Sequence, residues 1–490
     1  MASMRRHANL AALATIVGAA LLLRLVYGEP FLNYDASYSL VWAHDLAHGL
    51  TPDYRGFIAP TPHPLQTFVS ILALPLGDAT THVLAWLVML CFGGIVWVVF
   101  LLGRQLFNTP VGVLAAVVIL TRTAFARNAE FAYQDIPFAL FVVWALLLEL
   151  RTPKRGTPVL VLLTLAGLLR PEAWVLAALY WLYLAYGSAP EDRRRLAALA
   201  VLAATGPVLW AVSDAAITGD LLHSFHGTKD LAAQLDRPRS VFDAPYRTAQ
   251  FLGFTLREPL MIGVPIGCLF VLLWARQAVV LLAVSAALLL FFIASTIGGL
   301  PLIARYVLTP TVLLAVVYAA GCLGWLMLEE GSRERRVWQR VGLVSLVLSV
   351  LFVPFHLELV DTVRAKVRNS GSIQRDLKVV AESGVVRDYY ARCGRISTFD
   401  HPEVPPLRYY LGAPPGAVMD MKDPDHPLAQ TLLMPIDDTV SNRYYGGKPP
   451  LVVPAGYTEV FRSRSWRLMA SAPCRAAVGA GQTLAGIQRR

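Results

Sequence analysis

Apolar runs approaching the roughly 20 residues that a hydrocarbon core demands recur from Asn9 to about Phe355 and then stop. The pattern predicts spans at Asn9–Tyr27, His82–Leu102, Val111–Leu120, Phe131–Leu150, Pro158–Leu169, Pro171–Ala185, Leu196–Ile217, Pro259–Trp274, Val279–Ile297, Tyr306–Leu328 and Val341–Phe355. A further run, Leu65–Leu76, is too short to cross and reads as a re-entrant approach to the next span, leaving about eleven crossings. Beyond Glu358 the pattern turns mixed. A helix-like stretch, Ser372–Arg392, precedes short strand-like runs at Arg395–Phe399, Leu407–Leu411, Leu432–Ile436 and Leu451–Pro454, punctuated by Pro and Gly. The expected fold class is an all-α polytopic membrane protein, residues 1–356, with a small C-terminal α/β domain, residues 357–490.

Composition agrees with this pattern: 56% of the chain is hydrophobic and 16% is charged, against about a quarter charged in soluble proteins. The formal net charge of +10 does not point to nucleic acid, because the cations are spread through the membrane loops. With eleven spans, Arg104, Arg151, Lys154, Arg155, Arg193–Arg195, Arg276, Arg333, Arg335, Arg336 and Arg340 fall on the same side as Arg5 and Arg6. The positive-inside rule makes that side the cytoplasm. The loops 28–64 and 218–258 and the C-terminal domain then lie outside. The first apolar run resembles a signal peptide, but no small-residue cleavage site follows it, so it reads as a retained helix. Cys91, Cys268 and Cys322 fall in apolar spans, whereas Cys393 and Cys474 lie in the soluble part, where they either pair or stay free.

The first outer loop opens Asn33-Tyr34-Asp35-Ala36-Ser37-Tyr38 and runs to Pro60-Thr61-Pro62-His63-Pro64. Tyr38, Val41, Trp42 and Leu46 are spaced for one helical face, which predicts a helix lying at the membrane surface with Asp35 at its head, as N-cap or as catalyst. An aspartate just outside the first span, then an aromatic surface helix, a Gly and a His-Pro, resembles the first loop of the GT-C glycosyltransferase superfamily. The likeness is closest to bacterial relatives of protein O-mannosyltransferases and lipid A aminoarabinose transferases. Two further segments are similar, in the same order: Ala132-Tyr133-Gln134-Asp135-Ile136-Pro137 and Ile303-Ala304-Arg305-Tyr306-Val307-Leu308-Thr309-Pro310. Relatives often carry two adjacent acids where this chain has Asp35-Ala36, so a second carboxylate would come from Glu130 or Asp135.

The resemblance implies transfer of a sugar from a polyprenyl-phosphate donor to an extracytoplasmic hydroxyl of a glycan, lipid or protein. It also implies Asp35 as the general base, since an acceptor hydroxyl attacks only as its proton leaves. The departing phosphate calls for cations where water is scarce. Arg305, with Tyr306 beside it, is the first candidate. Arg170, between two apolar runs, is the second, since ionisable residues at span ends are costly; a snorkelling turn with Glu172 would also place it there. His63 either orients a phosphate or sits in a turn that its flanking prolines make rigid. Arg127, Arg257, Glu130 and Glu172 are secondary candidates, and Asp135 is the second catalytic one. The reaction so read requires no metal and no cofactor. His223 and His226, three apart, read as a solvated loop. Nucleotide and hydrolase signatures are absent: there is no P-loop, no G-x-G-x-x-G after a strand, no G-x-S-x-G and no H-E-x-x-H. A transporter or lipid flippase is the alternative, though neither repeats nor midplane polar residues support it.

Overall fold

The computed structural model describes residues 2–447 and 450–487. Two compact units divide it: Met1–Phe31, His63–Gln66 and Thr81–Arg364 form one, and Leu32–Pro62, Thr67–Thr80 and Ala365–Arg490 form the other.

The first unit is helical. Among the described residues five helical segments have the length and apolarity to cross a membrane, or eight if each of three bent helix pairs is one crossing. The other three of the eleven expected spans are the helices Asp135–Arg151, Thr157–Gly167 and Glu172–Ala185, of 17, 11 and 14 residues. At a rise of about 1.5 Å per residue all three fall below a hydrocarbon thickness of about 30 Å, the two shorter ones by the larger margin. The expected re-entrant run corresponds to the helix Pro64–Ala73 and a 3-10 segment Leu74–Ala79, after which the helix Thr80–Leu106 continues.

Burial separates spans that the sequence makes equally apolar. The helix Arg193–Thr218 is mostly uncovered, with Val201, Val208 and Val212 exposed, as suits a lipid-facing span. By contrast, every residue of the helix Leu308–Leu323 from Leu308 to Cys322 is buried. Small residues permit that centrality. A Cβ at Gly267, in the helix Leu260–Trp274, would come within 2.2 Å of the Val317 carbonyl oxygen, so only glycine lets the two backbones approach.

The second unit joins a segment of the first loop to the C-terminal part. Its sheet has five strands, β1 (Ile396–Thr398), β2 (Val418–Asp420), β3 (Thr431–Pro435), β4 (Tyr457–Arg462) and β5 (Trp466–Ser471), in the order β2-β1-β3-β5-β4. β1 runs parallel to β2 and β3, while β5 runs antiparallel to β3 and β4. Leu377, Val380, Ile396, Leu407, Leu433 and Trp466 are the heart of the core, and Tyr389, Tyr390 and Tyr444 pack against it. The disulfide Cys393–Cys474 forms. Of the expected strands, those at 395–399 and 432–436 correspond to β1 and β3. The run Leu407–Leu411 is instead the end of the helix Val404–Leu411, whose first turn holds Pro405 and Pro406 with φ preset for helix. Leu451–Pro454 has no regular structure.

Candidate active site

The candidate residues divide between the two units. In the first, a left-handed turn precedes the acidic segment: Ala132 is held at φ 48°, a conformation that costs a non-glycine residue about 1 kcal/mol or more. The helix Asp135–Arg151 starts immediately after it, with Asp135 in its first turn. Arg170, in the short link between the helices Thr157–Gly167 and Glu172–Ala185, is 6% exposed and donates to both Asp135 and Glu172. Its guanidinium lies 3.8 Å from the centre of the Tyr306 ring. Arg305 approaches the other oxygen of Asp135 at 3.5 Å and lies over the Tyr133 ring at 4.6 Å. Its side chain keeps 19% exposure, against 3% for Asp135.

Five residues named from the sequence, Asp135, Arg170, Glu172, Arg305 and Tyr306, thus form one cluster of two guanidinium groups, two carboxylates and a phenol ring. Arg170 is stabilised from two sides by charge and from a third by a π-face, which offsets the large cost of burying a guanidinium. Arg305 is the looser member. Its contact with Asp135, at 3.5 Å, is longer than the hydrogen bonds of Arg170.

His63 closes this arrangement from behind. Its Nδ1 lies 2.8 Å from the Leu169 carbonyl and its Nε2 lies 2.6 Å from the Gln134 side-chain nitrogen. Because a carbonyl can only accept, Nδ1 carries a hydrogen that it donates to Leu169, while Nε2 faces the Gln134 amide. Leu169 precedes Arg170 and Gln134 precedes Asp135, so one buried ring fastens the two segments whose charges meet. The sequence left His63 open between phosphate ligand and turn; in the structure its ring bridges the Leu169 and Gln134 segments. Gln134 and Tyr133 were quoted as part of a motif but not as site residues, and their roles depend on contacts no local pattern encodes.

Of the secondary candidates Glu172 belongs to this cluster, and the other three lie outside it. Glu130 is fully buried, and neither of its carboxylate oxygens has a hydrogen-bond partner. Arg127 lies over the Phe131 ring at 5.7 Å. Arg257, at φ 61°, lies over the Phe254 ring at 5.2 Å, and Arg122 donates to the carbonyl of Leu256 beside it. The sequence reading passed over Arg122, a second cation at that break.

In the second unit, Asp35 is half-buried in the first turn of the helix Tyr34–Ala47. Asn33 is the N-cap, its side chain accepting from the Ala36 N–H at 2.7 Å, so Asp35 does not serve as the cap. The helix is buried on more than one face, including Ser37, Ser39 and Asp45 as well as Tyr38, Val41 and Trp42. It is therefore not a one-faced amphipathic surface helix. Arg408, 1% exposed, donates to Asp45, to Asp53 at 2.9 Å and to the Ala413 carbonyl at 3.2 Å. Trp42 Nε1–H donates to the same Asp53 oxygen at 3.0 Å.

No family model matches the sequence, and no curated protein is similar to it at a significant level. Solved structures are similar. The crystal structure of ArnT from Cupriavidus metallidurans bound to undecaprenyl phosphate aligns with a TM-score of 0.56 at 14% identity, covering 94% of this chain and 98% of that one. The apo state of the same protein gives 0.53 over the same shares. The fold is of the GT-C type. The Archaeoglobus fulgidus oligosaccharyltransferase in its apo form aligns less well, with a TM-score of 0.44 at 15% identity over 82% of this chain and 59% of that one. The GT-C resemblance expected from the three short segments therefore extends, as a fold, over nearly the whole chain.

Proposed function

We propose that this chain is an integral membrane glycosyltransferase that moves a sugar from a polyprenyl-phosphate donor to a hydroxyl of a glycan, lipid or protein acceptor, with inversion. The supporting observation is the cluster of Arg170, Asp135, Glu172 and Arg305 on a GT-C fold, buried except at Arg305. The similar ArnT structure holds undecaprenyl phosphate, a ligand whose anionic head needs such a cation. Arg305 is assigned to the donor phosphate, a singly charged diester that gains a second negative charge as it leaves, so that its pull on Arg305 against the 3.5 Å contact with Asp135 grows in the transition state. Arg170, held by two carboxylates, serves mainly to fix Asp135 and Tyr306. His63 positions both segments.

Asp35 is assigned as general base. In the step proposed, the acceptor oxygen forms a bond to the anomeric carbon as the bond from that carbon to the phosphate oxygen breaks. The phosphate leaves with the bonding pair, and the hydroxyl proton goes to the Asp35 carboxylate. The reading places the N-terminus in the cytoplasm and residues 365–490 outside, and needs neither metal nor other cofactor.

The test is sugar transfer by the purified chain in nanodiscs, with radiolabelled polyprenyl-phosphate sugars and matched nucleotide sugars, for the native protein and Asp35→Asn. Consumption of a polyprenyl donor that Asp35→Asn abolishes is the expected result. Full activity of Asp35→Asn would move the base elsewhere. Absence of transfer, together with movement of a lipid or solute across vesicles, would replace the enzyme by a transporter.

A further inference from the structure

The carboxyl ends of β1 and β2 bring together side chains that the proposed transfer reaction does not use. Thr398, the last residue of β1, is register partner to Asp420, the last of β2, and the chain leaving β1 continues through Phe399 to Asp400 and His401. β1 runs parallel to both β2 and β3, so the carboxyl ends of β1 and β2, with Asp420 on one and Asp400 and His401 just beyond the other, lie side by side at one edge of the sheet. One donor atom each from Asp400, His401 and Asp420 lies within 4.8 Å of the others. Asp400 and Asp420 are 1% and 4% exposed.

The neighbouring polar atoms do not complete the hydrogen bonding of this group. Asp400 Oδ1 accepts from the His401 backbone N–H at 2.9 Å and lies 2.8 Å from His401 Nδ1. Asp420 Oδ1 accepts from the Lys422 N–H at 2.8 Å, but its Oδ2 is buried and has no hydrogen-bond partner. Two carboxylates buried side by side are costly unless a cation joins them. The Lys422 ammonium, 3.7 Å from Asp400 Oδ2, is one such cation, but its side chain is nearly half exposed and can swing away.

We infer that Asp400, His401 and Asp420 form a binding site for a divalent metal ion. An imidazole with two carboxylates and no thiolate selects a first-row ion such as Zn²⁺ or Mn²⁺ over Ca²⁺, which takes six to eight oxygens. Three protein donors leave at least one coordination position for water or an anionic ligand. The Tyr34 ring packs edge-on against His401, with centroids 5.0 Å apart, so an ion here would also steady the start of the helix that carries Asp35. The site stands on this geometry alone and does not depend on the transfer reaction.

The experiment titrates ZnCl₂ and MnCl₂ into the chelator-stripped, tag-free full chain in detergent, by calorimetry and by metal analysis after desalting, with a Cu²⁺-loaded sample for electron paramagnetic resonance. The expected result is one site per chain, weakened about tenfold or more in His401→Gln and Asp420→Asn. His401→Gln should also lose the imidazole nitrogen couplings. Lys422→Ala removes the competing ammonium and should tighten binding. This surface variant and His401→Gln, at a side chain that is 21% exposed, keep the test decisive if Asp420→Asn does not fold. His226→Gln, in the solvated loop, should change nothing. No binding to the folded native chain at millimolar metal would overturn the site. So would unchanged stoichiometry and affinity in His401→Gln and Lys422→Ala.

Discussion

Arg170 and Arg408 are both buried arginines held by two carboxylates, one in each unit, and the differences between them separate a site from a joint. Arg408 is satisfied throughout by Asp45, Asp53 and the Ala413 carbonyl, with no second cation in its group. Arg170 shares Asp135 with Arg305, whose guanidinium is partly exposed and rests on aromatic rings. The Arg408 network is closed to an anion, since each Arg408 nitrogen has a fixed partner and the atom left over, Asp45 Oδ1, is itself an acceptor. An open one has a cation whose present partner can be exchanged. Burial and charge pairing alone would have ranked Arg408 first; the residual exposure and loose partner single out Arg305.

The comparison can be broken in several places. The largest effect is expected from Arg408→Met, which strands Asp45 in the interior and should cost about 3–5 kcal/mol of stability, read from the unfolding of the solubilised chain. Adding Asp45→Leu should recover most of it; no recovery would mean that Arg408 acts through something other than its ion pairs. Next, Arg305→Gln should lower turnover with a polyprenyl donor by about 10² to 10³, with stability little changed. A thermal midpoint that falls as far as that of Arg408→Met would make the two networks the same kind of object. His63→Phe removes two buried hydrogen bonds and leaves Gln134 unpaired, at a cost of about 1–3 kcal/mol, and turnover should fall while donor KM rises. A stability loss with unchanged kinetics would remove His63 from its positioning role.

The smallest effect concerns pH. His44, in the helix Tyr34–Ala47, stacks on His48, and burial first, then His48 and Arg408, hold its imidazole below the ordinary histidine range. The folded state therefore favours the neutral ring. Its contribution is fully present above the ordinary value of about 6.5 and is lost as pH falls through the lowered one. Thermal midpoints measured from pH 7.5 to 5 should decline, and His44→Gln should flatten part of that decline; an identical slope in the variant would remove His44 from the account.

The spans were legible because lipid requires long apolar runs, and eleven runs in the sequence correspond to eight long or bent segments and three shorter helices. Which spans face lipid was not legible, since Leu308–Leu323 and Arg193–Thr218 are both apolar but only the first is buried throughout. Arg170, Glu172, Asp135 and Arg305 could each be suspected as costly charges near apolar runs. Their meeting could not be read, because it depends on His63 joining segments 106 and 71 residues away. Leu407–Leu411 misled because five residues fit a strand and a helix end equally well, and the two prolines upstream decided for helix. Asp45 and Arg408, separated by 363 residues, left no local trace.

That separation bears on how the chain is made. Asp45 and Asp53 are synthesised early, whereas Arg408 emerges only after the last apolar run. During synthesis the acidic side of the joint must stay hydrated, with the Tyr34–Ala47 helix lacking its partner. A fragment of residues 365–490 would carry the converse defect, a guanidinium shaped for a low-polarity interior and deprived of both its acids. Residues 365–490 are therefore not a detachable module, because Arg408 finds its acids only in a segment made long before it.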